Sequence, residues 1–80
     1  MVRVLIPKTG MGITEGTITK WHKREGESVT KGEVIAEVES AKAIEEVAAP
    51  ASGVLKRILL AEGETAEVHT AIATIEAESL

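Results

Sequence analysis

The sequence predicts an all-β domain that folds as a sandwich or barrel, and three observations lead to that prediction. The hydrophobic content of 44% is carried almost wholly by Ala, Val, Ile and Leu, with a single aromatic residue. Branched apolar residues alternate with polar ones, and no window sustains the spacing of a long amphipathic helix. Glycines separate these segments about every ten residues, as turns between short strands do.

Six segments have the alternating pattern of a strand that lies between turn residues. They are residues 2–6, 16–23, 33–39, 44–48, 53–60 and 71–76, with shorter extended pieces near Val29 and Val68. A chain of 80 residues has room for one small core. We therefore expect one domain over residues 1–77, with residues 78–80 beginning a linker or tail.

An internal repeat relates residues 16–40 to residues 53–77 at a constant offset of 37 positions. Gly16 aligns with Gly53, and both halves carry a Glu-Gly-Glu triplet, at 25–27 and 62–64. In these triplets we expect glycine to supply unusual backbone angles and glutamate to supply solubility. Two similar halves predict quasi-twofold symmetry.

An irregularity in the strand pattern also occurs in both halves. Ile18 and Trp21 have opposite parity within one strand, as do their repeat counterparts Leu55 and Ile58. Each pair predicts a β-bulge. Trp21 is predicted to be a core residue, because its counterpart Ile58 is apolar too.

Composition excludes several classes of function. Without cysteine there is no disulfide framework, thiolate nucleophile or zinc-binding cysteine set. A formal charge of −4 and one aromatic residue argue against nucleic acid as a partner. His22 and His69 have neither Asp nor Cys beside them, so we predict solvated side chains and neither a metal site nor catalytic residues. No apolar run is long enough to span a bilayer and no signal peptide is present, so we expect no membrane partner and a cytoplasmic location.

A hairpin with a lysine at its tip is predicted in the middle of the chain. Two strand-like runs are separated by the small or polar residues between Glu39 and Ile44. Most lone lysines only solvate a surface. Here, however, Ala41 and Ala43 leave the amine of Lys42 sterically open, and glutamates surround it. Such an amine can be acylated.

The whole chain resembles a lipoyl domain of the dihydrolipoyl acyltransferases of 2-oxo acid or acetoin dehydrogenase complexes. The matching residues are Pro7, Met11, Thr14-Glu15-Gly16, Trp21, Glu25-Gly26, Val29, Lys31-Gly32, residues 35–39, Lys42-Ala43, Glu46-Val47, Ala49-Pro50, Gly53 and Glu62-Gly63. The resemblance implies a flattened barrel of two four-stranded antiparallel sheets related by a quasi-twofold axis. It also implies that the lysine is exposed on a hairpin.

By the same resemblance, Lys42 matches the lysine that receives lipoic acid through an amide bond, flanked by Ser40, Ala41 and Ala43. The usual motif has Asp where this chain has Ala41. Glu45 stands where lipoyl domains often have an apolar residue.

The resemblance implies a swinging-arm carrier that is not itself catalytic. The arm would visit a thiamin-dependent decarboxylase or dehydrogenase, an acyltransferase catalytic domain and a dihydrolipoyl dehydrogenase, after a lipoyl ligase or transferase attaches it. We expect the isolated domain to be monomeric. Chemistry would belong to the cofactor and positioning to the protein.

The loop 8–14 has no counterpart in the second repeat and supports two interpretations. It is either a surface connection with Met11 and Ile13 tucked against the barrel, or a recognition element that uses Thr9, Met11 and Ile13 beside Glu39. For the domain as a whole, the alternatives are a biotinyl carrier domain of a carboxylase and an unmodified interaction module. Biotinyl domains carry Met on both sides of the lysine, so Ala-Lys-Ala argues against the first.

Overall fold

The structure, a computed structural model that describes residues 1–7 and 11–77, contains eight β-strands and no helix within those ranges. The strands are β1 (Val2–Leu5), β2 (Glu15–Trp21), β3 (Ser28–Val29), β4 (Val34–Glu39), β5 (Ile44–Ala48), β6 (Gly53–Ile58), β7 (Thr65–Glu67) and β8 (Ala71–Ala77). The prediction of an all-β domain is confirmed.

The strands form two four-stranded antiparallel sheets. Sheet I has the order β1-β8-β6-β3, and sheet II has the order β5-β4-β2-β7. Every pairing between neighbouring strands is antiparallel. Strand β3 of the first repeat pairs with β6 of the second, whereas β7 of the second pairs with β2 of the first. The repeats are therefore interlocked and share one core.

The order of the strands in the two sheets shows the predicted repeat. Shifting β2, β3 and β4 by the repeat offset places them on β6, β7 and β8, and each occupies the corresponding place in the opposite sheet. The remaining strands, β1 and β5, occupy equivalent edge positions, one in each sheet. Both predicted bulges are present, because the register shifts between Ile18 and Lys20 in one half and between Leu55 and Arg57 in the other.

The Glu-Gly-Glu triplets form turns that bond to the opposite repeat. Their central glycines have φ values of 92° and 87°, which side chains disfavour. Their glutamates do more than confer solubility, and that expectation was incomplete. Glu25 Oε2 accepts a hydrogen bond from the Ile58 backbone N–H, and Glu62 Oε2 accepts the equivalent bond from Trp21, each at 2.8 Å. Each carboxylate thus satisfies a backbone donor next to a bulge.

The core consists of small aliphatic side chains from both sheets. Its members are Val4, Ile6, Ile18, Val29, Ile35, Ala36, Val38, Val47, Ala49, Leu55, Ile72, Ala73 and Ile75. Trp21 packs against this cluster but is only partly buried. Its indole N–H donates to the Leu60 carbonyl at 2.8 Å. The tryptophan therefore closes one margin of the core.

Several strand ends differ from the sequence prediction. The second and sixth strands stop at Trp21 and Ile58, two residues early in each case, since the chain then turns toward the glycine triplets. The extended piece predicted near Val68 lies just before it, at Thr65–Glu67. The last strand reaches Ala77. The predicted linker, residues 78–80, falls outside the described residues.

A turn before the last strand of each repeat requires a left-handed residue. Gly32 occupies it in the first half with φ of 88°, and His69 occupies it in the second with φ of 67°. Both backbone N–H groups donate at 2.9 Å, to the carbonyls of Ala49 and Ile6 respectively. The conformation therefore belongs to the turn, and His69 adopts it against the usual preference of a residue with a side chain.

Candidate functional site

The lysine hairpin is the β4–β5 connection at one edge of sheet II. Glu39 pairs with Ile44, and the Ser40 N–H donates to the Ala43 carbonyl at 2.8 Å. Ala41 and Lys42 are thereby left at the tip, as the sequence predicted, and both are exposed.

The hydroxyl of Ser40 ties the tip together. It donates a hydrogen bond to the Ala43 carbonyl at 3.1 Å. Its oxygen also accepts hydrogen bonds from the backbone N–H groups of Ala43 at 3.3 Å and of Lys42 at 3.4 Å. A side chain that bonds to the backbone two and three residues ahead is a common way to stabilise a turn. The hairpin is therefore held by its own residues and leaves the lysine side chain unconstrained by them.

The lysine amine reaches the loop that precedes β2. Lys42 Nζ donates to the Met11 carbonyl at 3.4 Å, a long hydrogen bond between two exposed residues. The Met11 side chain is 86% exposed. The loop residue named by sequence therefore does lie beside the lysine. Because the bond is weak and solvated, it leaves the amine available for reaction.

Burial separates the two apolar residues of this loop. Ile13 is 8% exposed and is tucked into the domain, whereas Met11 is not. Of the two, Met11 is the side chain that a partner can contact. Thr9 lies outside the described residues.

A groove of about 610 Å³ separates this loop from the hairpin. Its walls are residues 12–17 of the loop and of β2, residues 39–41 of the hairpin, and Thr65. Glu39, Ser40 and Ala41, all named from the sequence, thus line one surface. That groove lies directly beside the attachment candidate.

The acidic residues around the lysine differ in their environments. Glu37 accepts from His22, with 2.7 Å between Oε2 and Nε2. Glu39 and Glu46 are exposed, whereas Glu45 is half-buried because it lies opposite the buried Val38. The equivalent place in sheet I is held by Val2, which packs against the core. An apolar residue would therefore suit position 45 better than the glutamate that this chain has there.

Ile44 is a feature of the site that the sequence interpretation passed over. It lies two residues after Lys42 and is 59% exposed. Together with Met11 it gives the surroundings of Lys42 an apolar component. The predicted hairpin could have indicated this exposure. Ile44 lies directly opposite Glu39, and residues that lie opposite each other share a face of the sheet, here the outward one.

The two histidines are surface residues in the part of the chain that is described. Both are exposed, and His22 makes the bond to Glu37 given above. Within residues 1–7 and 11–77, no group of three or more His, Cys, Asp or Glu side chains could hold a metal ion. Over the same residues, no helix is long and apolar enough to cross a membrane.

Comparison with known families gives one match over most of the chain. The profile of the biotin/lipoyl family, described as "biotin-requiring enzyme", matches residues 2–75. Similar curated proteins include the dihydrolipoyllysine-residue succinyltransferase component of the 2-oxoglutarate dehydrogenase complex of Staphylococcus saprophyticus. It is 47% identical over 75 residues, which are 94% of this chain and 18% of that protein.

A second relative is the dihydrolipoyllysine-residue acetyltransferase component of the acetoin cleaving system of Bacillus subtilis. It is 42% identical over 92% of this chain and 19% of its own length. The chain thus spans about a fifth of the curated relatives it matches. Among solved structures, the lipoyl domain of the 2-oxoglutarate dehydrogenase complex from Azotobacter vinelandii superposes with a TM-score of 0.73. It is 33% identical, and the match covers 94% of this chain and 99% of that one.

Proposed function

The chain belongs to the lipoyl domains of the biotin/lipoyl family, and on that basis we propose that Lys42 carries lipoic acid through an amide bond. The observation that carries this proposal is the position of Lys42. Its side chain is exposed at the tip of a hairpin closed by Ser40, and its neighbours there are two alanines. The domain is then a swinging-arm carrier and not an enzyme by itself.

The hairpin fits a covalently attached acyl group. Attachment joins Lys42 Nζ to the carboxyl carbon of an activated lipoyl group, and the nitrogen gives up a proton as the activating group leaves. Methyl side chains on both sides of the lysine leave the approach to Nζ open. Among residues 1–7 and 11–77, the weak hydrogen bond to the Met11 carbonyl is the one that the amine gives up.

The protein contributes position rather than reactivity. Bound lipoic acid supplies a disulfide ring that can take up an acyl group and electrons. The paired strands β4 and β5 and the Ser40 brace hold the attachment point outward, so that a tethered group stays at a high effective concentration near its partners. The amide also replaces a cationic amine by a neutral group, which leaves the glutamates of this edge less compensated.

The direction of the hairpin also suits a tethered carrier. The start of β8 lies near the hairpin, because Val68 N–H donates at 3.0 Å to the carbonyl of Thr14, which lines the groove beside Ala41. From Ala71 the strand runs away for six residues to Ala77, or about 20 Å. A linker that continues from Ala77 would leave from the far end of the domain.

We further propose that the partners are those implied by the resemblance. A thiamin-dependent decarboxylase or dehydrogenase would load the arm, an acyltransferase catalytic domain would unload it, and dihydrolipoyl dehydrogenase would reoxidise it. The relatives named above are components of such systems, and they support this set. Met11 and Glu39 are among the exposed residues around Lys42 that such a partner would contact.

The test is intact-mass analysis of the 80-residue chain after incubation with a lipoyl ligase, lipoate and ATP. A parallel incubation uses a biotin ligase and biotin. We expect the mass of one lipoyl group on the wild type, none on Lys42→Arg, and an unchanged result for the control Lys31→Arg. Lipoylation of the Lys42→Arg variant, or no lipoylation of the wild type, would contradict the proposal. Biotin addition in place of lipoyl addition would favour the biotinyl alternative.

A further inference from the structure

Two arginines and a threonine form a row across the outer face of sheet I. Thr74 on the central strand β8 pairs with Arg3 of β1 on one side and with Arg57 of β6 on the other. Residues directly opposite share a face of the sheet. The neighbours of Thr74 on β8, Ala73 and Ile75, are both fully buried, so the side chains of this row point away from the core.

Neither arginine has a carboxylate partner within residues 1–7 and 11–77. The ion pairs in that part of the chain join His22 to Glu37, Lys23 to Glu33 and Lys56 to Glu76. Lys56, next to Arg57 on the same strand, thus has a carboxylate partner, Glu76, at 3.6 Å. The two exposed guanidinium groups of the row therefore have no carboxylate partner among the described residues.

The repeat shows what this row lacks. The equivalent row on sheet II is Lys20, Glu37 and Glu46, which pair across β2, β4 and β5. In sheet II the central residue is a carboxylate with a lysine at one side. In sheet I the central residue is a neutral hydroxyl with a cation on both sides. The anion that one repeat supplies from its own chain is absent from the corresponding place in the other.

The threonine hydroxyl gives a second, independent indication. Although Thr74 faces outward, its Oγ1 is covered by surrounding atoms and has no hydrogen-bond partner among the described residues. A buried hydroxyl without a hydrogen-bond partner is unfavourable, and its O–H can donate a hydrogen bond to an anion. Adjacent strands lie about 4.8 Å apart, so the arginine Cα atoms are about 10 Å apart and both side chains can reach a point above Thr74.

We infer that Arg3, Thr74 and Arg57 form a binding site for an oxyanion of the carboxylate or phosphate type. The arginine side chains supply two planar forks of N–H donors, which match the oxygens of such a group. The Thr74 hydroxyl, on the strand between the two arginines, supplies a third donor. The site lies on sheet I, whereas Lys42 lies on sheet II, so its occupation is independent of the lipoyl attachment.

The test is a ¹H–¹⁵N NMR titration of the full chain with sodium phosphate at neutral pH, with sodium chloride keeping the ionic strength constant. A second titration uses a blocked tetraglutamate peptide, so that the two arms separate a phosphate-bearing ligand from an acidic polypeptide. We expect saturable shifts centred on the amides of Arg3, Arg57 and Thr74 and on the arginine Nε–H signals. Tighter binding in either arm supports the site and identifies the source of the anion.

The double variant Arg3→Gln/Arg57→Gln should bind the stronger probe at least tenfold more weakly, with an otherwise unchanged spectrum. Lys56→Gln is the matched control, since it removes a neighbouring cation that already has an acidic partner, and it should bind as the wild type does. Thr74→Val should weaken binding by a smaller factor. Shifts no larger than those in sodium chloride, or equal binding by the double arginine variant, would overturn the inference.

Discussion

The carboxylates of Glu25 and Glu62 should stabilise the fold, and the repeat provides two copies of the same test. Each accepts a backbone N–H at 2.8 Å from the opposite repeat, Glu25 from Ile58 and Glu62 from Trp21. A hydrogen bond to a charged group contributes about 1.5–3 kcal/mol. Both glutamates are exposed, so screening and rehydration of the freed N–H should reduce this value to about 1 kcal/mol.

We therefore expect Glu25→Ala and Glu62→Ala each to lower the free energy of unfolding by about 1 kcal/mol, or Tm by about 4–8 °C for a domain of this size. The two sites share no partner, so the double variant should lose about 2 kcal/mol. Urea denaturation followed by tryptophan fluorescence measures these values. Glu67→Ala is the control, because the Glu67 side chain makes no hydrogen bond or ion pair among the described residues. An equal loss in that control, or losses under about 0.3 kcal/mol in both test variants, would refute the reasoning.

Three further predictions concern the backbone and pH. Gly53→Ala should lower the free energy of unfolding by about 3 kcal/mol or prevent folding, as seen by urea denaturation, since its Cβ would overlap the backbone of β8. His69→Gly should raise Tm, by the equivalent of about 0.5 kcal/mol, because it relieves a left-handed φ of 67° at a turn where the other repeat has glycine; a lower Tm would contradict this. The pKa of Glu33 is lowered by a backbone hydrogen bond from Thr30 and by Lys23, so its stabilisation holds above the ordinary value of 4.5 and is lost as pH falls through the lowered pKa. Glu33→Gln should thus be less stable than the wild type at pH 7, with a difference that shrinks as pH falls through the lowered pKa, and a difference that stays constant in acid would contradict this.

The sequence predicted those features of the fold that depend on short-range patterns. Alternation of apolar residues located the strands, and the shared parity change at Ile18 and Leu55 located both bulges. The hairpin tip at Lys42 followed from the small residues between two strand-like runs. Each of these signals lies within a few neighbouring residues.

Contacts between the repeats could not be predicted in the same way. The exchange of β3 and β7 between the sheets depends on pairing over long sequence separations, which local patterns do not encode. The roles of Glu25 and Glu62 follow from that exchange, since it brings each carboxylate to a backbone N–H of the other half. Ile13 and Met11 have the same apolar character in sequence, and only the fold separates the buried one from the exposed one.

The same repeat explains how one scaffold presents two different surfaces. Sheet II carries the lysine hairpin and a row whose central residue is Glu37, and sheet I carries the equivalent row with Thr74 between two arginines. Quasi-twofold symmetry fixes the backbone of both rows. The side chains are free to differ, because they point outward and leave the core unchanged.

The central claim is that Lys42 is the attachment site, and peptide mapping of the ligase-treated chain tests it most directly. Trypsin does not cleave after an acylated lysine, so we predict a single modified peptide, residues 32–56, that contains Lys42 uncleaved and carries the mass of one lipoyl group. The untreated chain should give the two shorter peptides that end at Lys42 and at Lys56. A lipoyl mass on any peptide without Lys42, or complete cleavage after Lys42 in a chain that has gained the lipoyl mass, would contradict the assignment.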